Sequence, residues 1–509
     1  MVESPQTACV DYQVGIIGAG FGGIIAGLEL KRTGRKSFAL FERSAELGGV
    51  WRDNIYPGCA CDVSSHLYSI ASEPNPGWSS LFSPQAEILQ YLKDVVERNN
   101  LNDNIHYDVS ILEARFLEGK GCWQLLDQRG VRHLVRTLIL ATGSYSRPSI
   151  PPIRGREAFT GVIFHSSAWN PSIVVTEKRV GVIGTGASAI QIVSNIASTV
   201  AHLDVFQRSP AWVLPRGDRK NSQFERWLFR RVPWVQRIVR EGIFWFMELI
   251  GLAFLGNEFL SRLMTRVALR KLQKEVTDSG VRERLTPIYK IGCKRVLFSD
   301  EYNQTFNRSN VNLVTEEIDR ITADGISTTD GQHHVLDVIV FATGFFLADT
   351  SNYLPVVGRD GHLLKDIWDQ RGAQSYLGVH ISGFPNLALL LGPNSGLGHS
   401  SLVRVMESQI AYLIQWLDEV EKTSLPESLD VRMEVQDRYN VSLQLKLAGT
   451  TWGSGCSSPL LDRSGRNTTI YPGLCSQYRK AVARFRRNDY ERIGKGFAET
   501  HSPAEAFSA

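Results

Sequence analysis

Two glycine-rich turns carry most of the chemistry that can be read from this chain. Gly18-Ala-Gly20-Phe-Gly22-Gly23 fits G-x-G-x-x-G, and Gly184-Thr185-Gly186-Ala-Ser188-Ala189 fits G-x-G-x-x-A. Each suits a pyrophosphate. Gly18 permits the tight turn, Gly20 lets backbone approach the phosphates, and Gly23 lets the next helix close on the preceding strand. The N-terminus of that helix then faces the negative charge. The two turns differ in the residue that would meet the ribose. Glu42 follows the first turn by about 20 residues, where a carboxylate accepts from ribose hydroxyls. The matching place in the second copy holds Gln207 and Arg208. A carboxylate there would repel a 2′-phosphate, whereas an arginine pairs with it. The first turn therefore suits FAD or NAD and the second NADP. Together they point to FAD in one fold and NADPH in the other, with hydride passing between them.

Both turns need a strand before them and a helix after. Residues 12–17 read as a buried strand, 24–32 as a helix and 37–41 as a second strand; 180–183, 190–197 and 203–207 repeat the order. Strands over 138–140 and 337–341 each run into Ala-Thr-Gly, at Thr142-Gly143 and Thr343-Gly344. These mark where the chain leaves one nucleotide fold for the other. The expected fold class is α/β, with two Rossmann-type dinucleotide-binding domains, for FAD and NADPH, and a helical insertion. The expected division is 1–147 for the first part of the FAD domain and 148–220 with 290–345 for the NADPH domain. An Arg- and aromatic-rich insertion over 221–289 and the second FAD part over 346–509 complete it.

The bulk numbers agree. A chain of 509 residues is too long for one core. It is 43% hydrophobic and 21% charged, with 44 glycines, as suits an enzyme with several phosphate-binding turns. Net charge is +4 with no dense basic tract, which excludes nucleic acid as a partner. The N-terminal stretch lacks a signal-peptide pattern and the C-terminus is not S-K-L, so the expected location is cytoplasmic. The sequons at Asn303, Asn307, Asn440 and Asn467 then carry little meaning. Seven scattered cysteines read as reduced thiols, and Cys59 and Cys61, not spaced as C-x-x-C, as structural. No metal site is expected. Residues 243–255 are 13 in number with one charge, Glu248. That is short of the ~20 needed to cross a bilayer. The segment reads as a buried or subdomain helix. The alternative, given the arginines before it, is an interfacial helix touching a membrane or admitting an apolar substrate.

Three motifs narrow the function. Gly49-Val50-Trp51 through Tyr56-Pro57-Gly58 to Asp62 puts Trp51 where a disulfide reductase would carry a redox cysteine. Phe159-Thr-Gly161 through His165 to Trp169-Asn170 closely resembles the fingerprint of Baeyer–Villiger monooxygenases, with Asn170 where Pro or Asp is usual. Lys294-Arg295 resembles that family's Lys-Arg pair. The stretches Gly383-Phe-Pro385-Asn386, Leu391-Gly392-Pro393-Asn394 and Gly465-Arg-Asn467 to Tyr471-Pro472-Gly473 look like its return to the flavin. A second departure is Ser458-Pro459-Leu460, where many relatives read Ser-Trp-Tyr.

The resemblance implies a flavin enzyme in which NADPH reduces FAD, O2 gives a C4a-peroxyflavin, and one oxygen atom is inserted beside the carbonyl of a small hydrophobic ketone. It implies that Arg295 supports the reacting oxygen and that Asp62 orients Arg295. Lys294 would join Arg208 on the 2′-phosphate. Val50, Trp51, Asp62, Tyr68 and Val109 would line the flavin site, and Gly184, Thr185, Gly186, Ser188 and Ala189 the NADP site. By residue type alone, Arg295 could be a surface arginine and Asp62 a loop cap. His165 reads as a structural linker. The rival activities are N- or S-oxygenation, uncoupled NADPH oxidation, and mere nucleotide binding.

Overall fold

The structure, a computed structural model, describes residues 10–347, 354–453, 455, 460–462 and 464–494. β1 (Tyr12–Ile17) leads through the first glycine turn into α1 (Phe21–Arg32). β2 (Phe38–Phe41) then pairs with β1 in parallel, Gly15 opposite Ala39 and Ile17 opposite Phe41. After α2 (Gln85–Arg98), β3 (Ile105–His106) extends that parallel edge. β4 (Ile111–Leu117), β5 (Cys122–Asp127) and β6 (Arg132–Leu140) form an antiparallel meander whose last strand returns beside β1.

The second sheet is wholly parallel. β7 (Val162–His165), β8 (Arg179–Ile183), β9 (His202–Phe206), β10 (Val311–Val314) and β11 (Val338–Phe341) stand in the order β10-β9-β8-β11-β7. α3 (Ala187–Ile196) connects β8 to β9. Such strands are covered on both faces, so β8 and β11 read as apolar runs rather than alternating. In both sheets a glycine turn leaves the end of a strand whose neighbours lie on opposite sides: β1 between β2 and β6, β8 between β9 and β11. That switch point is where open α/β sheets leave a crevice for ligands.

Between β9 and β10 come α4 (Gln223–Arg231), α5 (Pro233–Phe254), α6 (Glu258–Glu275) and α7 (Ser279–Arg284). A reciprocal Ser222–Glu225 cap starts α4, and Pro233 at its first position starts α5. Residues 243–254 fall in α5. Burial holds on one face only. Phe244, Glu248, Gly251 and Phe254 are buried, but Trp245, Phe246 and Leu249 are 60%, 58% and 51% exposed. A helix in an outer layer can bury one stripe and must leave the other to its surroundings. Among the described residues no helix is long and apolar enough to cross a membrane.

The chain then returns to the first sheet. β12 (Val356–Val357) pairs with β4, and β13 (Leu387–Leu389) pairs with the end of β6. α8 (Leu402–Glu421) lies on α1 and buries Ile410, Leu413, Leu417 and Val420 at helical spacing, with Trp416 beside them. Each such Leu or Ile contributes roughly 1.5–3 kcal/mol by leaving water, and this seam holds the glycine-turn helix from behind. α9 (Met433–Ala448) and α10 (Cys475–Ala481) complete the layer. Cys59, Cys61, Cys122 and Cys475 are free and buried, but Cys293 is disulfide-bonded, so the expectation of reduced thiols fails there.

Candidate functional site

Both glycine turns are shaped so that a side chain does not fit. Gly18 has φ +106°, and a Cβ on it would stand 2.6 Å from the Ala141 carbonyl oxygen; at Gly23 a Cβ would stand 1.9 Å from the carbonyl oxygen of Gly18. Gly184 repeats the first geometry, with φ +121° and a Cβ position 2.4 Å from the Ala342 carbonyl oxygen. Each turn thus leans on the alanine of an Ala-Thr-Gly crossing, which explains why the two motifs occur as a pair. Gly20 and Gly186 serve a different end. A Cβ on Gly20 meets nothing nearer than Gly49 Cα at 3.7 Å, and one on Gly186 meets open space. Both therefore clear room in front of a helix N-terminus, and both turns fit a dinucleotide.

At the tip of β2, Glu42 is buried. One of its oxygens accepts from the Ala19 N–H at 2.9 Å; the other accepts from Ser44 N–H at 3.1 Å and from Arg52 Nη1 at 2.9 Å. A carboxylate offers about four acceptor positions, so one remains for a ribose hydroxyl. Arg52, which sequence reasoning missed, neutralises a charge that would otherwise be buried alone; its place within the G-x-W motif was the available signal. Val50 and Trp51 follow Gly49, which faces Gly20. Trp51 Nε1 donates to the Tyr68 hydroxyl at 3.1 Å, with the rings edge to face at 5.6 Å. The Val109 N–H donates to the Glu42 carbonyl at 2.9 Å. These contacts bring all four residues to the neighbourhood of Gly20 and Glu42.

The second turn gathers positive charge. Thr185 Oγ1 donates to the Ser209 carbonyl at 2.8 Å, tying the turn to the end of β9. Ser188 and Ala189 lie in the first turn of α3, with Ala189 buried. Arg208 is exposed. Lys294 Nζ donates to Ser209 Oγ at 2.8 Å and lies over the Tyr289 ring at 4.9 Å. Partial burial, and then the nearby Arg208 charge, pull the Lys294 ammonium below its ordinary pKa. Among the described residues no carboxylate pairs with Arg208 or Lys294. Two cations gathered without a counter-ion are what a phosphate monoester needs. Gln207, by contrast, turns away: its Nε2 donates to the Arg284 carbonyl at 2.7 Å and anchors α7.

Arg295 and Asp62, far apart in sequence, touch. Arg295 Nη2 reaches both Asp62 oxygens, at 2.6 and 2.8 Å, and Nη1 meets the Tyr145 hydroxyl at 3.4 Å. The Asp62 charge holds the guanidinium well above its ordinary pKa. The Arg295 side chain is 49% exposed, so it is not sealed in a core. Tyr145 lies two residues past Gly143 and packs edge-on against Phe345, next to Gly344. Arg295 therefore sits where the two crossings meet. Tyr145 was not singled out beforehand; nearness to Ala-Thr-Gly was its only signal.

The loop bearing Asp62 is pinned to the second fold. A Cβ on Gly58 would stand 2.0 Å from Asn195 Nδ2, Tyr56 donates to Gln191 Oε1 at 3.0 Å, and Gln191 Nε2 donates to the Ala60 carbonyl at 2.9 Å. Tyr-Pro-Gly is thus a packing element against α3. Burial pushes the Cys59 thiol up to about 11, away from redox use.

In the fingerprint segment His165 is a strut. Ser167 N–H donates to its Nδ1 at 3.1 Å, so the proton is on Nε2, which donates to the Gly344 carbonyl at 3.1 Å. With both nitrogens engaged, the ring links β7 to the second crossing. Trp169 is buried edge-on against Phe164 at 5.1 Å. Asn170 Oδ1 accepts from Ser172 N at 2.9 Å and Ser172 Oγ at 2.7 Å. Aspartate offers the same acceptor, which accounts for Asn at a Pro/Asp position. We expect Asn170→Asp to leave the melting temperature unchanged. Asn170→Ala should cost about 1 kcal/mol; equal melting of all three proteins contradicts this reading of the turn.

The returning stretches are cross-braces. Asn394 Nδ2 donates to the Asn467 and Ile470 carbonyls at 2.8 and 3.0 Å, and Asn386 Oδ1 accepts from Leu429 N at 3.0 Å. His399 is buried, with Nε2 3.0 Å from a Glu248 carboxylate oxygen. Ser458 and Pro459 lie outside the described residues.

Residues 11–353 match the family described as FMO-like, flavin-binding monooxygenase-like. A Baeyer-Villiger monooxygenase of Pseudomonas aeruginosa is 41% identical over 493 residues, covering 96% of this chain and 93% of its own length. A solved complex of OTEMO with FAD and NADP superposes with a TM-score of 0.85 at 27% identity, covering 94% of this chain and 99% of its own. Cyclohexanone monooxygenase from Rhodococcus sp. Phi1, bound to NADP+, gives 0.85 at 26% identity, covering 96% and 100%.

Proposed function

This chain belongs to the flavin-binding monooxygenase family, among its Baeyer–Villiger members, and from that premise we propose how its residues divide the work. It is an FAD- and NADPH-dependent monooxygenase that inserts one atom of O2 next to a ketone carbonyl. Ketone, O2, NADPH and a proton give ester or lactone, water and NADP+. Reduced FAD supplies the activated oxygen when bound; the rest is positioning and electrostatics.

Gly18, Gly20 and Gly23 hold the flavin pyrophosphate and Glu42 the ribose. Val50, Trp51, Asp62, Tyr68 and Val109 line the same site. Gly184, Thr185, Gly186, Ser188 and Ala189 hold the second dinucleotide, with Arg208 and Lys294 on its 2′-phosphate. Arg295 is the catalytic cation. Guanidinium stays charged near neutral pH and is a poor acid, so it steadies developing negative charge on oxygen without surrendering a proton. Asp62 is its positioning residue. The observation that carries the reading is the Arg295–Asp62 contact at 2.6 Å, made between segments of the two nucleotide folds. We also propose the division into 1–147, 148–220 with 290–345, 221–289 and 346–509; two separate sheets with helices between their strands support it. The substrate is a small hydrophobic ketone.

The coenzyme assignment is tested by kinetics. A charge-assisted hydrogen bond is worth about 1.5–3 kcal/mol, so Arg208→Ala and Lys294→Ala should each raise KM for NADPH roughly 10–100-fold. KM for NADH should stay within about threefold, because NADH has no 2′-phosphate. A uniform rise for both coenzymes counts against the assignment.

A further inference from the structure

The helical layer α4–α6 carries an apolar face that nothing in the fold covers. On α4, Phe224 and Trp227 are 67% and 53% exposed and stack on each other at 5.9 Å. On α5, Trp234, Ile238, Trp245 and Leu249 follow one stripe, with Phe246 beside it, and each is more than half exposed. On α6, Phe259, Leu263 and Val267 recur every fourth residue. α4 packs on α5 and α5 on α6, so these stripes belong to one surface.

Positive charge frames that surface. From Gln223 to Glu275 ten Lys and Arg stand against five Glu, a surplus of five in a chain whose net charge is +4. Arg262, Arg266 and Arg270 form a row beside the α6 stripe, and Arg230, Arg231 and Arg237 flank the other two; all six are exposed. Glu258 pairs with Arg262 at 2.6 Å and offsets that member of the row. The other four acids are engaged elsewhere: Glu225 with Arg219, Glu241 with Arg404, Glu248 with His399 and Glu275 with the buried Lys271. Among the described residues Arg230, Arg231, Arg237, Arg266 and Arg270 then have no carboxylate in an ion pair with them.

We propose that α4–α6 docks on a lipid bilayer rich in anionic headgroups, lying in its surface. Tryptophan and phenylalanine seat at the headgroup boundary while arginines meet phosphate, the arrangement of an interfacial helix rather than a spanning one. A second copy of this chain is the poorer occupant. A two-fold dimer brings the same patch onto itself, which sets like charge against like. The position also suits the chemistry. α5 is 22 residues long, about 33 Å, and runs from the exposed stripe to Phe254, whose ring fills the space where a Cβ on Gly292 would stand, 2.3 Å away. Gly292 lies two residues before Lys294. An apolar ketone dissolved in lipid would meet the same helix that supports the Lys294-Arg295 loop. The docking itself does not rest on the proposed activity.

The test is flotation of the full-length flavoprotein with vesicles of phosphatidylcholine alone and of phosphatidylcholine with phosphatidylglycerol, across a salt series. Wild type should float with the anionic vesicles at low salt and detach as salt rises. Each lysine or arginine near an anionic surface contributes about a fivefold factor, so Arg237→Gln/Arg266→Gln/Arg270→Gln should weaken binding roughly 100-fold. Trp245→Ser/Phe246→Ser should weaken it by tenfold or more on the order of apolar transfer energies. Both variants should keep their bound flavin and their NADPH turnover with a water-soluble ketone. Absence of wild-type binding at low salt overturns the proposal, as does binding indifferent to both variants. Sedimentation as a dimer that Trp245→Ser/Phe246→Ser disperses, without vesicle binding, overturns it in favour of self-association.

Discussion

Arg295→Ala should lower the rate of ester formation by roughly 10²–10³-fold, the usual loss when a preorganised stabiliser of developing charge is removed. NADPH should still be consumed, and hydrogen peroxide should replace the ester. The split is the informative part, because hydride transfer makes no demand on this guanidinium that the glycine turns and the 2′-phosphate cations do not already meet. Stability should change by less than about 1 kcal/mol, since an ion pair with a half-exposed partner contributes little. Asp62→Asn keeps the shape and removes the charge that aims Arg295. The guanidinium remains ionised, because its pKa lies far above neutral with or without Asp62. The expected loss is therefore one of positioning, roughly 10–100-fold, with Asp62→Ala worse than Asp62→Asn. Ester and NADPH rates measured side by side decide the matter. An Arg295→Ala enzyme that forms ester within threefold of wild type removes Arg295 from the chemistry.

The second large effect separates two glycines of one turn. Gly23→Ala should yield protein without flavin. Its methyl would stand 1.9 Å from the Gly18 carbonyl oxygen, and a backbone atom in a tight turn has nowhere to retreat. Overpacking commonly costs about 1–3 kcal/mol, and this contact belongs at the upper end or beyond. Gly20→Ala adds the same methyl but meets no protein atom nearer than 3.7 Å. It should fold normally and fail differently, with FAD affinity reduced at least about tenfold because the methyl stands where a phosphate must approach. Melting curves and flavin content of the two purified variants distinguish the cases. Equal flavin retention by both would place the pyrophosphate elsewhere.

Much of the fold is legible in the sequence because its signals are local. A strand, a glycine turn, a helix and a second strand follow one another within 30 residues at both sites, and periodicity fixes each piece to within a residue or three. Phe21–Arg32 begins earlier than the expected 24–32 because the glycines at 22 and 23 are themselves helical. The partners were harder. Arg52 on Glu42, Ser209 and Tyr289 around Lys294, and Tyr145 beside Arg295 are tertiary contacts between segments with no common periodicity. Residues 243–255 show the limit of composition. A run with one charge reads as a buried or subdomain helix, with an interfacial helix as the alternative; three of its largest side chains face outward, because a hydrophobic run does not say which neighbours it has.

The most direct test of the central claim is to incubate the purified flavoprotein with NADPH, 18O2 and a panel of hydrophobic ketones, with an amine and a sulfide as competitors. Labelled product, NADPH consumed and hydrogen peroxide are then measured together. Oxygen insertion beside a carbonyl predicts an ester or lactone carrying one 18O atom, formed in step with NADPH loss. Label appearing only on nitrogen or sulfur, or hydrogen peroxide matching NADPH with no labelled product from any ketone, contradicts it.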